Sequence, residues 1–97
     1  MAEGNCWSFL DAGIVVGAYL NRGNAYVSKG SIGPAISDYT KATEASPKYA
    51  IAFYARALAS ERKGDRKHAI LDYRRALAID PSLKDSRDAL GRLGARP

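Results

Sequence analysis

Residues 14–47, IVVGAYLNRGNAYVSKGSIGPAISDYTKATEASP, lie over residues 48–81, KYAIAFYARALASERKGDRKHAILDYRRALAIDP, without a gap and with eleven identities. The matched pairs are Ala18/Ala52, Arg22/Arg56, Ala25/Ala59, Lys29/Lys63, Gly30/Gly64, Ala35/Ala69, Ile36/Ile70, Asp38/Asp72, Tyr39/Tyr73, Ala42/Ala76 and Pro47/Pro81. Unrelated segments of this composition would share roughly two, and a period of this length indicates supersecondary units stacked into a helical array. The chain is therefore two copies of one unit with flanks on either side. Residues 1–13 form an N-terminal apolar segment, 14–47 and 48–81 the two units, and 82–97 a C-terminal capping helix and tail.

The amino-acid pattern inside each unit reads as two helices and a tight turn. Gly30 and Gly64 each follow a lysine, as expected of helix ends with a basic last turn and a residue able to take positive φ. Ser31 and Asp65 stand where they can cap the next helix, and Ser46-Pro47 and Asp80-Pro81 read as an N-cap followed by proline at the first helical position. The expectation is five helices over 14–29, 32–46, 48–63, 66–79 and 82–94. Apolar spacing supports the inner ones, through Ile36, Tyr39 and Ala42 and through Ile70, Tyr73 and Leu77. Leu83, Leu90 and Leu93 give the last helix one apolar stripe, and the charged remainder, Arg92 included, faces water as in an end cap.

Composition narrows the possible functions. The 97 residues allow one modest domain that buries about 60–65% of its unfolded surface, too little for a deep enzyme interior. One cysteine, Cys6, and one histidine make neither an internal disulfide nor a zinc site of the usual kind, so a reducing, cytoplasmic setting and no cofactor are expected. The apolar stretch from Phe9 to Leu20 is interrupted by Asp11 and is too short to span a bilayer, so neither a signal peptide nor a membrane contact is expected. Of the net charge of +5, residues 41–97 supply thirteen basic against seven acidic side chains. That bias invites an acidic partner as a hypothesis and says nothing about a fold.

With these positions assigned, the chain resembles the tetratricopeptide repeat family, whose 34-residue unit follows W-x2-L-G-x2-Y, then A-x3-F, then P. In the first unit Tyr19, Gly23, Tyr26, Ala35, Tyr39 and Pro47 stand at the matching places. Phe53, Ala57, Ala69, Tyr73 and Pro81 do so in the second, and Leu90-Gly91 matches the leucine-glycine pair of a third first helix. The resemblance covers residues 14 to about 94 and implies an all-α fold of antiparallel helix-turn-helix repeats, stacked as a short right-handed α-solenoid. Small residues at Gly23, Ala57, Ala35, Ala69, Ala42 and Ala76 are then close-approach points, filled around by Tyr19, Tyr39, Phe53 and Tyr73. The departures are Arg22 and Arg56 in place of leucine, and Ser60 in place of an aromatic. The arginines are expected to lay their stems on the core with their heads in solvent, and Ser60 to loosen the second unit.

The resemblance also implies a binding scaffold and no enzyme, with the first helix of each unit lining a concave groove for a peptide or helix of a protein partner. Carried over residue by residue, the groove comprises Gly17, Leu20, Asn21, Asn24, Val27 and Ser28 from the first unit. The second contributes Ile51, Tyr54, Ala55, Leu58, Glu61 and Arg62. Leu20, Asn24, Tyr54 and Leu58 are the expected centre, because an amphipathic aromatic flanked by aliphatics is a common hot spot. One branch of the family grips a chaperone C-terminal carboxylate with lysines, asparagines and an arginine. Only Asn24 fits that clamp, and Asp85 would repel the carboxylate.

Other chemistry finds little support. The basic run Arg62-Lys63, Arg66-Lys67-His68 and Arg74-Arg75 is interspersed with Glu61, Asp65 and Asp72, and no aromatics line it. It reads as a solvated face, so nucleic acid is a minor alternative. His68 has no nucleophile at a useful spacing, and there is no phosphate-cradling glycine loop, so a small-molecule substrate is not expected. Two units are few for closing the hydrophobic ends of an array. Trp7, Phe9 and Leu10 therefore serve either as an N-terminal cap or as the contact of a homodimer, and self-association is the alternative function. The core places repeat, whereas Leu20/Tyr54, Asn24/Leu58 and Val27/Glu61 do not, and function is expected at those breaks.

Overall fold

A computed structural model describes residues 9–96, with side chains from Val15 onward. It contains α1 (Phe9–Ser28), α2 (Ile32–Ala45), α3 (Ala50–Lys63), α4 (Arg66–Ile79) and α5 (Lys84–Arg92), and no strand among the described residues. Each helix packs against the next in sequence, giving an all-α helical repeat with extents of 48 × 30 × 17 Å. The first helix runs five residues further towards the N-terminus than the repeat register predicts. Neither a proline nor a cap separates Phe9 from Ile14, so the boundary drawn at residue 13 falls inside α1. Phe9 and Leu10 thus belong to α1, their side chains lie outside the described set, and Trp7 lies outside the described residues altogether.

The turns inside each unit follow from glycine. Gly30, at φ 82°, donates to Val27 O while Ser31 donates to Tyr26 O. Gly64, at φ 93°, donates to Glu61 O while Asp65 donates to Ser60 O. This pair of bonds is the Schellman closure, which needs a residue free of the Cβ penalty at positive φ. Asp65 caps α4 through its side chain, accepting from the His68 amide, whereas Ser31 makes no side-chain cap bond. The same closure recurs at Gly94, where Ala95 donates to Leu90 O. Period 34 would put that glycine at residue 98, so α5 stops one turn short of its repeat counterparts.

Between units, the expected proline-led helix starts are not found. Ser46 and Asp80 are the C-caps of α2 and α4, and α3 and α5 begin only at Ala50 and Lys84. Pro47 and Pro81 instead occupy the second position of turns closed by Tyr49 N–H to Ser46 O and Leu83 N–H to Asp80 O. Proline's fixed φ suits that position, and it drives the preceding residue out of helical conformation. Ser46 and Asp80 accordingly have ψ of 87° and 91°. Asp80 also accepts from the amide and hydroxyl of Ser82, which locks the second of these turns.

Two apolar clusters form the core. One gathers Val16, Leu20, Ala35, Tyr39, Ala42, Ala52 and Ala59, and the other Ala57, Ala69, Tyr73, Leu77, Ala89 and Leu90. Alanines at the crossings and one tyrosine per unit in the gap match the expected division between small and large places. At Gly23 the approach is so close that a Cβ would stand 2.6 Å from Cε1 of Tyr39. Leu83 and Leu93 pack against the second cluster beside Leu90, as an end-cap stripe should.

Candidate functional site

The most regular polar feature joins the two helices of each unit. Arg22 Nε and Nη2 donate to the two carboxylate oxygens of Asp38, each at 2.8 Å. Thirty-four residues on, Arg56 Nε and Nη2 donate to Asp72 at 2.7 and 2.9 Å. Both aspartates are buried. The expectation that the arginine heads reach solvent is corrected for Arg56, 16% exposed, and holds for Arg22, 55% exposed. In both, a planar guanidinium presents two parallel donors to a desolvated carboxylate one helix over. The hydrogen bond from Arg22 holds the Asp38 carboxyl below the ordinary carboxylate range, against the upward push of burial. All four residues are among the eleven identities of the repeat. A charge and its counter-charge repeating together are a signal for a pair.

The two pairs differ in surroundings. Arg56 lies between α2 and α4, and its Nη1 reaches Thr40 Oγ1 at 3.3 Å and Thr43 Oγ1 at 3.5 Å. Its side chain is 16% exposed, against 55% for Arg22. Phe53 and Tyr19 stack under Arg56 and Arg22 respectively, at 5.4 and 5.8 Å from ring centroid to guanidinium carbon.

A cleft of about 340 Å³ opens between α1 and α3, floored by Tyr39 and Ala59. Its walls are Leu20, Asn24 and Val27 from α1 and Ile51, Tyr54, Ala55, Leu58 and Arg62 from α3. Eight of the twelve groove residues expected from sequence thus line one depression. Gly17, Asn21, Ser28 and Glu61 do not. Ile51 and Leu58 are exposed, whereas Leu20 is buried in the first core cluster and shows the cleft only an edge. The Tyr54 ring is tilted at 54° against Tyr73, 5.8 Å between centroids, and burial raises the Tyr54 hydroxyl's pKa. Arg62 is the one charged residue in the lining.

Two of the non-repeating positions have structural work. The buried Tyr39 hydroxyl donates to Asn24 Oδ1 at 2.5 Å, and the Tyr73 hydroxyl donates to Glu61. Equivalent tyrosines thus find acceptors one helical turn apart. The exchange of Asn24 and Val27 for Leu58 and Glu61 keeps each hydroxyl satisfied. Burial, then the Glu61 carboxylate, raises the Tyr73 pKa. Glu61 also receives Arg92 Nη1 and Nη2 at 2.8 and 2.9 Å, which ties α3 to α5 and holds the Glu61 carboxyl low. Arg92 was expected to face water as part of the cap. Its guanidinium instead docks the cap.

Elsewhere the basic run is partly consumed. Arg66 donates to Leu93 O, Arg74 to Arg96 O at 2.9 Å, and Arg75 lies 3.6 Å from Asp72. His68 Nδ1 is 2.5 Å from Asp65, and both its bonds go to that N-cap. Ser60 is buried and lines a cleft of about 430 Å³ between α2, α3 and α4. Among the described residues no helix is long and apolar enough to cross a membrane, and no cluster of metal-ligating side chains occurs.

Helix pairs repeated in register, with a side-chain-lined cleft across their first helices, define a helical-repeat scaffold. Comparison with known families agrees: one described as "TPR repeat" matches residues 23–64, and one described as "Tetratricopeptide repeat" matches residues 50–83. Together these span most of the chain, and the protein belongs to the tetratricopeptide repeat family. Repeats of this family are generally protein–protein interaction modules and typically non-catalytic. No curated protein matches the chain significantly.

Proposed function

We infer that the protein is an adaptor whose cleft between α1 and α3 receives a peptide or helix of a cytoplasmic partner protein. The observation that carries this reading is the exposure of Ile51 and Leu58 beside Tyr54 in a depression that the repeat core leaves open. Exposed aliphatics around an amphipathic aromatic are what an interface core consists of, and Arg62 at the rim adds preference for an acidic flank. Tyr54, Leu58 and Ile51 carry the affinity in this reading, with Asn24 held by Tyr39 and so presented rigidly. Nucleic acid is left out because Arg66 and Arg74 are committed to backbone carbonyls of the C-terminal segment. Affinity capture from the source cell, with wild type beside Tyr54→Ala/Leu58→Ala, tests the reading. Partners should disappear in the double variant at unchanged fold, and capture of the same partners by both would refute it.

A further inference from the structure

The first helices of the two units share a second face, and the structure treats the two copies differently. On α3 this face is Ala52, Arg56 and Ala59, with Ala52 and Ala59 only 0% and 1% exposed because α2 covers them. The repeat partners Ala18, Arg22 and Ala25 are identical in sequence and lie on α1, where all three are exposed. Covering on α3 is specific: Ile36, Thr40 and Thr43 of α2, one helical face by their spacing, lie against it, and the two threonine hydroxyls accept from Arg56 Nη1. On α1 the two Arg22 donors used for Asp38 are the same two, so Arg22 presents the atom that in Arg56 meets the threonines.

We propose that the Ala18–Arg22–Ala25 face of α1 docks an amphipathic helix of α2 type, carrying an aliphatic residue followed at i+4 and i+7 by hydroxyl residues. The alanines let the two helix axes approach closely, and the hydroxyls accept from the guanidinium nitrogen that has no partner among the described residues. The interface continues one the molecule already builds between α2 and α3. A second copy of the chain is a poor occupant: the Ile36, Thr40 and Thr43 face of its α2 already lies against its own α3. The surface is separate from the α1–α3 cleft, so the two can be filled together.

The probe is a peptide of residues 31–46, held helical by a staple between positions 37 and 41, which are both exposed in α2. Stapling matters because a free helix of this length is marginal in water. Fluorescence anisotropy with the full chain should give saturable binding. Ala18→Glu/Ala25→Glu should weaken it at least about tenfold at unchanged melting temperature, since both sites are exposed and glutamate is a good helix former. The cleft variant Tyr54→Ala/Leu58→Ala should bind the probe as wild type does, and a probe with valine at positions 40 and 43 should bind more weakly. Absence of saturable binding overturns the proposal, and so does full binding by the double glutamate variant. It is equally overturned if light scattering finds a dimer that Ala25→Glu dissociates, because a second copy then owns the face.

Discussion

Removing the Asp72 carboxylate should cost far more than removing that of Asp38, although sequence gives the two the same role. In Asp72→Ala the Arg56 guanidinium loses two charge-assisted bonds of 2.7 and 2.9 Å while its side chain stays only 16% exposed between α2 and α4. Stranding one member of a buried pair costs about 3–5 kcal/mol, and the residual solvent access of Arg56 puts the expectation at the lower end, about 3 kcal/mol. For a domain of this size that lowers the melting temperature by roughly 12–24 °C. In Asp38→Ala, Arg22 is 55% exposed and rehydrates, so the loss should be clearly smaller. Urea unfolding followed by circular dichroism gives both values. Arg56→Ala then completes a cycle with Asp72→Ala whose coupling should reach about 2 kcal/mol. Equal costs for the two aspartates, or a cost below about 1 kcal/mol for Asp72→Ala, would refute the claim that burial of the guanidinium sets the energetics.

Gly23→Ala brings a Cβ to 2.6 Å from the Tyr39 ring, and the ring's bond to Asn24 resists its moving aside. Overpacking of about 1–3 kcal/mol outweighs the gain of up to about 1 kcal/mol in helix propensity, so thermal unfolding should show a net loss. Acid should destabilise the protein through Asp38, Glu61 and Asp65, whose carboxyls are all held below their usual range by hydrogen bonds from Arg22, Arg92 and the His68 amide respectively. Unfolding raises their proton affinity, so their contribution is complete above about pH 5 and is lost as pH falls through the depressed folded values. Melting temperature should be flat from about pH 8 to pH 5 and drop below about pH 4, with a shallower drop in Glu61→Gln.

The helix count and the repeat register were legible because period and turn chemistry agree: the glycines at 30 and 64 close Schellman motifs, and the alanines mark crossings. The two prolines are ambiguous in sequence, and the helices begin three residues beyond them. Ser-Pro and Asp-Pro fit both an N-cap with its first helical residue and the opening of a turn, and only the closing bonds of Tyr49 and Leu83 separate these. The family geometry brings eight of the named residues to one cleft, yet burial of Leu20 and the commitment of Glu61 to Tyr73 and Arg92 depend on neighbours from other helices. Arg92 illustrates the limit well. Nothing local distinguishes it from Arg87, but one reaches Glu61 across α3 and the other caps its own turn at Pro81 O.

Identity and divergence in the two units therefore carry different information from what a simple repeat suggests. Some breaks in the period conserve a function of the core: Asn24 and Glu61 occupy different registers because each satisfies its own unit's buried tyrosine. Another break, Leu20 against Tyr54, changes which side chains line the cleft. Conversely, an identity can hide a structural difference, since Ala18, Arg22 and Ala25 match Ala52, Arg56 and Ala59 in every residue and differ in what lies over them. Among the described residues α2 covers this face on α3 and no helix covers it on α1, so the same three residues are core in one unit and surface in the other.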